Sequence, residues 1–348
     1  MYKNIENEIL NSVRLTGLKN IAIKVGQKDN VLFEKYYSEE FSNSDFNENT
    51  LFDMASVTKI AATTMLALYA LDIGKISLSD TLSKYFVCGD DKKNITIKNL
   101  LTHTFGYGHK SLNCEGVTYD NVAQKILSIP LDIPFGTNVL YSCPAFILLG
   151  KILEKVFEDR LDNLFDKIVS TPLEYENTFF LPKLKPNCSK IIVNANLLKE
   201  ECGIVNDYNA RFLGGVAGNA GLFSNMKDMT KFVHFLINKC QKLISPTMFE
   251  KAIKNYTPDM DESRALGFLY VDEKYQQTGG LFNKGTIGHC GHTGQSLFVD
   301  TVTGFYTIIL SDATIGTVRK YGQEEYQQVC DMRMRIHAAI KKDFSIGF

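Results

Sequence analysis

The chain has 348 residues, 45% of them hydrophobic and 22% charged, enough for a substantial core and for two subdomains. Its formal net charge is -1 and it contains no Lys/Arg-rich run, which argues against nucleic acid as a partner. Eight cysteines (88, 114, 143, 188, 202, 240, 290 and 330) are scattered without paired spacing, the pattern of free thiols.

The first segment, "MYKNIENEILNSVRL", places Ile5, Ile9 and Val13 on one face of an amphipathic helix. It has neither the apolar core nor the small-residue cleavage site of a signal peptide. The longest apolar run, residues 60–71, falls short of the roughly 20 residues that span a bilayer. The expectation is a cytoplasmic protein with no membrane partner. "NIAIKVGQKDNVLFEKYYS" then predicts a β-hairpin turning at Lys28-Asp29-Asn30.

"FDMASVTKIAATTMLALYALDIG" (52–74) predicts a buried helix with Ser56 at its start and Gly74 at its C-terminal cap. Residues three apart share a helix face, so the Lys59 amine could reach the Ser56 hydroxyl. The helix N-terminus would favour negative charge developing there. A serine needs such help to act as a nucleophile at neutral pH. Ser-x-x-Lys is a common pattern, however, and a second copy runs from Ser224 to Lys227, where the serine is expected to cap a helix. "ITIKNLLTHTFGYG" predicts a helix closing near His103, which suits a capping or core role for that histidine.

From Tyr119 to about Ile244 the periodicity is mostly helical, and Pro144 fits a first helical turn. Tyr141, just before that helix, could act as a general base if nearby cations lowered its pKa, Lys59 being one such cation. From Ala265 the pattern turns to strands, with a hairpin at Thr303-Gly304 and a last amphipathic helix over about 324–341. Strands and a helix at each end most simply form one sheet. The predicted fold class is therefore α+β: one sheet of residues 1–75 and 260–348, with a helical subdomain (76–259) inserted. The cleft between the two parts is the expected site.

"GHCGHTGQSLFVD" brings glycines, two histidines and an apolar strand together. A histidine there could bind a substrate carbonyl or carboxylate, and neighbouring N–H groups could form half of an oxyanion hole. A metal site of His289, Cys290 and His292 is the weaker alternative, because no spaced pair of ligands accompanies them.

In order and spacing, "FDMASVTK", "LLTHTFGY", "VLYSCPAFILLGKILEKV", "NDYNARFLGGVAGNAGLFS" and "GHCGHTGQSLFVD" resemble the serine β-lactamase and penicillin-binding-protein-like family. The likeness runs from about Ile21 to Asp312 and is nearest to class C β-lactamases and their esterase and D-peptidase relatives. The resemblance implies Ser56 as the acylated serine, Lys59 as its partner and Tyr141 as the residue exchanging protons with serine and leaving group. It also implies His289-Cys290-Gly291 as the third motif, with His292 giving a backbone N–H to an oxyanion hole shared with Ser56. Its fold is an antiparallel sheet with flanking helices and a helical subdomain.

Two positions depart from the family. Cys143 stands where an asparagine usually ends the second motif, and a thiol is a poor donor to an acylamide carbonyl. Cys290 replaces a threonine whose hydroxyl helps hold a carboxylate. Both changes fall on recognition, and both cysteines would lie in one cleft, where a redox-sensitive approach is conceivable. The expected activity is a serine hydrolase with an acyl-enzyme, needing no metal or organic cofactor. Its substrate would be a small ester or a D-amino-acid-containing amide or peptide, with β-lactams disfavoured. The alternative is a ligand-binding or sensing homologue that has lost turnover.

Overall fold

The computed structural model describes residues 2–108, 112, 116–184, 191–196, 199–275, 277–313 and 323–344. Cys114 and Cys188 lie outside the described residues.

A six-stranded sheet of order β2-β1-β9-β8-β7-β6 joins the two ends of the chain. Its strands are β1 (Asn20–Gln27), β2 (Asn30–Ser38), β6 (Leu269–Tyr270), β7 (Ile287–Cys290), β8 (Ser296–Val299) and β9 (Phe305–Ser311). Every pairing in it is antiparallel. The β1–β2 hairpin turns at Lys28-Asp29, and Lys28 takes the left-handed conformation such a turn requires, φ 51°. Gly304 does the same between β8 and β9, at φ 74°.

The sheet is covered on both faces, which is why β1 is buried almost throughout although its sequence alternates only in part. Ile21, Ile23, Val25, Phe298 and Ile309 pack beneath α1 (Lys3–Thr16) and α10 (Gln323–Phe344), against Ile5, Ile9, Met332 and Ile336. Ala22, Leu297, Ile308 and Leu310 face the other way and join the larger core formed with the helical region. Asp343 of α10 accepts the Ile5 N–H at 2.9 Å, tying the two helices at their ends.

The middle of the chain holds α2 (Met65–Asp72), α3 (Ile97–Leu101), α4 (Val122–Ser128), α5 (Cys143–Phe157), α6 (Leu161–Leu164), α7 (Tyr208–Phe212), α8 (Met226–Ile237) and α9 (Pro246–Ala252). It is not helical throughout. Phe52–Asp53 (β3), Phe179–Phe180 (β4) and Leu222–Ser224 (β5) form a second sheet of order β3-β5-β4. Ser224 is therefore a strand residue and does not cap a helix. Asn225 holds the cap of α8, its side chain accepting the Asp228 N–H at 2.8 Å. The Ser224 hydroxyl is paired with Thr178 at 2.7 Å. The small sheet matters to the site, because β3 delivers the chain to Ser56 three residues later.

Candidate active site

Asp53, buried in β3, shapes the approach to Ser56. Its carboxylate accepts the Ala55 N–H at 2.8 Å and the Asn206 N–H at 2.6 Å. Between them Ala55 is held at φ 43°, a strained conformation for a residue with a Cβ. Burial raises the Asp53 carboxyl to about 6, against the lowering effect of its backbone hydrogen bonds. After this turn the chain enters a π-helical stretch, Lys59–Thr64, that runs on into α2. Such stretches are uncommon and collect at functional sites.

Ser56 and Lys59 meet as their spacing predicts. Lys59 Nζ lies 2.9 Å from Ser56 Oγ, and the Tyr141 hydroxyl donates to the same oxygen at 2.7 Å. The Lys59 amine also donates to the Asn219 carbonyl at 3.0 Å and contacts Cys143 Sγ at 3.4 Å. Lys59 is fully buried, and burial is the largest cause of a pKa lowered from its ordinary value. Three acceptors suit an ammonium. A neutral amine keeps two of them and turns its lone pair toward the Ser56 hydroxyl. The Ser56 N–H donates to no protein acceptor among the described residues.

Tyr141 is placed from both sides. The Ser142 hydroxyl accepts the Ala145 N–H at 3.1 Å and caps α5, with Pro144 in the first turn. His103, left-handed at φ 55° just past α3, accepts the Ser142 N–H on Nδ1 at 3.0 Å. Its ring packs 4.7 Å from that of Tyr141. Burial holds its pKa well below the usual histidine range, so it is a neutral, positioning side chain. The second-motif cysteine, Cys143, opens α5 and is buried against Lys59.

The third motif lies on β7 and the turn after it. The His289 ring is 6.1 Å from that of Tyr141, and burial, then the charge of Lys59, keeps its pKa well below normal. Its Nδ1 donates to the Cys290 carbonyl at 2.7 Å, leaving Nε2 as a buried acceptor without a partner. Cys290 is half-buried, and its thiol pairs with the Tyr275 hydroxyl at 3.2 Å. Cys143 and Cys290 thus have different partners, and neither is in a disulfide. Gly291 packs against the nucleophile segment: a Cβ there would lie 3.0 Å from the Met54 carbonyl. His292 is exposed in the turn. Thr293 is buried and bonds Gln295 and the Asp53 carbonyl, so it braces the loop. Among the described residues no group of three or more His, Cys, Asp or Glu side chains is arranged to hold a metal ion.

Several contributors escape a reading of motifs. Gln295 donates to the carbonyls of Asp53 (2.7 Å) and Ser311 (2.9 Å), and buried Arg333 donates to the Gly291 carbonyl at 2.8 Å. Asn219 acts on Lys59 through its backbone. The segment carrying Asn219 was visible as a unit in the sequence, but its carbonyl was not.

This arrangement of antiparallel sheet and flanking helices coincides with a known family. The Beta-lactamase family model matches residues 13–328, and the chain belongs to that family, a family of hydrolases. The chain is similar to a candidate D-alanyl-D-alanine carboxypeptidase of Escherichia coli O157:H7, with 28% identity over 301 residues, covering 76% of this chain and 69% of the relative. Among solved structures it is similar to the octameric penicillin-binding protein homologue from Pyrococcus abyssi, at 17% identity and TM-score 0.71, covering 98% of this chain and 77% of that one. It is also similar to unliganded simvastatin synthase from Aspergillus terreus, at 16% identity and TM-score 0.71, covering 99% and 98%. At those identities the two structures show the fold alone: the β-lactamase/transpeptidase-like fold. No helix among the described residues is long and apolar enough to cross a membrane.

Proposed function

We propose that this protein is a serine hydrolase that works through an acyl-enzyme on Ser56. The observation that carries the reading is the convergence of Lys59 Nζ and the Tyr141 hydroxyl on Ser56 Oγ, at 2.9 and 2.7 Å. A buried lysine with a lowered pKa can present a neutral amine near neutral pH. That amine takes the Ser56 proton as Oγ attacks the substrate carbonyl. The N–H groups of Ser56 and His292 receive the developing oxyanion. Collapse breaks the bond to the leaving group, which takes a proton from Tyr141, and the Lys59 ammonium reloads Tyr141. Water then attacks the acyl-enzyme by the reverse path, returning the proton to Ser56.

The substrate class is a small ester or a D-amino-acid-containing amide or peptide. The name of the Escherichia coli relative supports the peptide end of that range. The decisive test is intact-protein mass after incubation with a fluorophosphonate. A stoichiometric adduct on the wild type and on Ser224→Ala, absent from Ser56→Ala, is expected. No adduct on well-folded wild type would sink the reading.

A further inference from the structure

Asp207 stands outside the three motifs, immediately before α7, yet its contacts lead to the reacting groups. Its Oδ1 accepts the Ala210 N–H at 2.8 Å and so caps α7. Asn219 Nδ2 donates to the same oxygen at 3.0 Å. Asn219 is fully buried, and its Oδ1 meets no donor among the described residues, so Asp207 is the contact that orients this amide. The main-chain carbonyl of Asn219 in turn accepts from Lys59 Nζ at 3.0 Å. A carboxylate fixed at a helix start therefore reaches the amine beside Ser56 through a single residue.

The preceding residue braces the nucleophile from the other side. The Asn206 N–H donates to Asp53 Oδ2 at 2.6 Å, and Asp53 Oδ1 holds the Ala55 N–H just ahead of Ser56. Asn206 is itself tied through Nδ2 to the Ala195 carbonyl at 2.6 Å. Two adjacent residues thus serve the base and the turn that presents the serine. The other titratable or charged groups facing Lys59 are Tyr141 and Cys143 at the start of α5, His103 past α3, His289 on β7 and Arg264 between α9 and β6. Asp207 is the carboxylate of that set. Burial lowers the Lys59 pKa most, Cys143 and Asp207 oppose it, and Arg264 adds to it.

We propose that Asp207 is a positioning residue for proton transfer at Ser56: through Asn219 it fixes the carbonyl that aims the Lys59 amine, and it places a negative charge behind that amine. In the acyl-transfer reading, on which this inference rests, Lys59 takes the Ser56 proton. Asp207 touches neither the reacting atoms nor the space beside them. Its hold and its charge are separable. An asparagine at 207 caps α7 about as well as an aspartate and still offers an oxygen to Asn219, so it removes the charge and keeps the hold. An alanine removes both.

The test is the rate of Ser56 labelling by a fluorophosphonate, followed by intact-protein mass as a function of pH. In Asp207→Asn the acid limb of the profile should move to lower pH by roughly half a unit, because Lys59 loses a charge that helps it keep its proton. In Asp207→Ala and in Asn219→Ala the plateau rate should fall about 10- to 100-fold. The double alanine variant should fall no further than either, since both substitutions cut the same chain of contacts. Asp207→Asn should recover part of the plateau lost in Asp207→Ala. A merely structural Asp207 would lower Tm and leave the limb in place. An unmoved limb in Asp207→Asn, or additive losses in the double variant, overturns the proposal. Should the Asp207 variants not fold, Asn219→Ala decides, because it leaves the α7 cap intact, and labelling at the wild-type rate overturns the assignment. Absence of labelling on wild-type Ser56 would instead remove the acyl-transfer reading itself, and this inference with it.

Discussion

Lys59 Nζ and Cys143 Sγ stand 3.4 Å apart, so the side chain that departs from the usual second motif touches the amine beside Ser56. The thiol is a weak acceptor, but it is one of three around a fully buried ammonium. It opposes the burial that lowers the Lys59 pKa. Cys143→Ala removes that support, so Lys59 loses its proton at lower pH. If the neutral amine is the base, the acid limb of the kcat/KM profile moves to lower pH. Titration of ester hydrolysis in the variant checks this; a limb moving upward would contradict it.

Asp53 carries a second pH dependence, this time on stability. Its folded pKa is about 6 against an ordinary 3.8, because burial disfavours the charged form. Below 3.8 both folded and unfolded chains hold the proton. Between 3.8 and about 6 the folded chain keeps a proton that the unfolded chain has released, so this group's contribution to stability falls as pH rises. Asp53→Asn has no such proton. It also loses the acceptor for the Asn206 N–H, a cost independent of pH in this window. The difference in Tm, variant minus wild type, should therefore climb between pH 4 and pH 6 and then level off. A flat difference would mean that Asp53 is not the titrating group.

The convergence of Ser56, Lys59 and Tyr141 was legible in the sequence because their acting atoms are on side chains at short or motif-marked spacings. The hairpins and the long helices were legible for a similar reason: their periodicity extends over enough residues to be read. The small sheet was not, since β3 and β4 have two residues each and no period at all. Ser224 was misread because a serine and an asparagine stand side by side before α8, and sequence does not say which one caps it. Asn219 acts through a carbonyl that every residue possesses.

Arg333 supports the third motif from behind. This buried α10 arginine donates to the carbonyls of Gly291 (2.8 Å) and Gln295 (3.4 Å), the two ends of the turn that carries His292. Arg333→Leu removes that charged donor, while the Gly291 carbonyl keeps the Gly294 N–H and the Gln295 carbonyl keeps the Gly291 N–H. The loss is that of the charge-assisted bonds alone, about 1.5–3 kcal/mol for a bond to a charged group. Calorimetry should show a lower Tm; on the proposed oxyanion role of the His292 N–H, kcat/KM should fall as well. A variant with lowered Tm and undiminished kcat/KM would separate the brace from the oxyanion site.

Two glycines separate packing that serves Lys59 from packing that does not. At Gly218 a Cβ would lie 2.0 Å from the Phe146 carbonyl on α5, and the Gly218 carbonyl accepts from Thr63 at 2.7 Å. The next residue, Asn219, gives Lys59 its backbone acceptor. Gly218→Ala must push this segment off α5, costing about 1–3 kcal/mol as overpacking does. The Asn219 carbonyl moves with it, so kcat/KM should drop along with Tm. Gly74, at φ 73°, has no atom within 4 Å of its would-be Cβ. Gly74→Ala costs about 1–2 kcal/mol of left-handed strain and displaces nothing near Ser56. It should lower Tm while kcat/KM holds. If both variants lost activity in proportion to stability, the Asn219 carbonyl would have no special part in holding the amine.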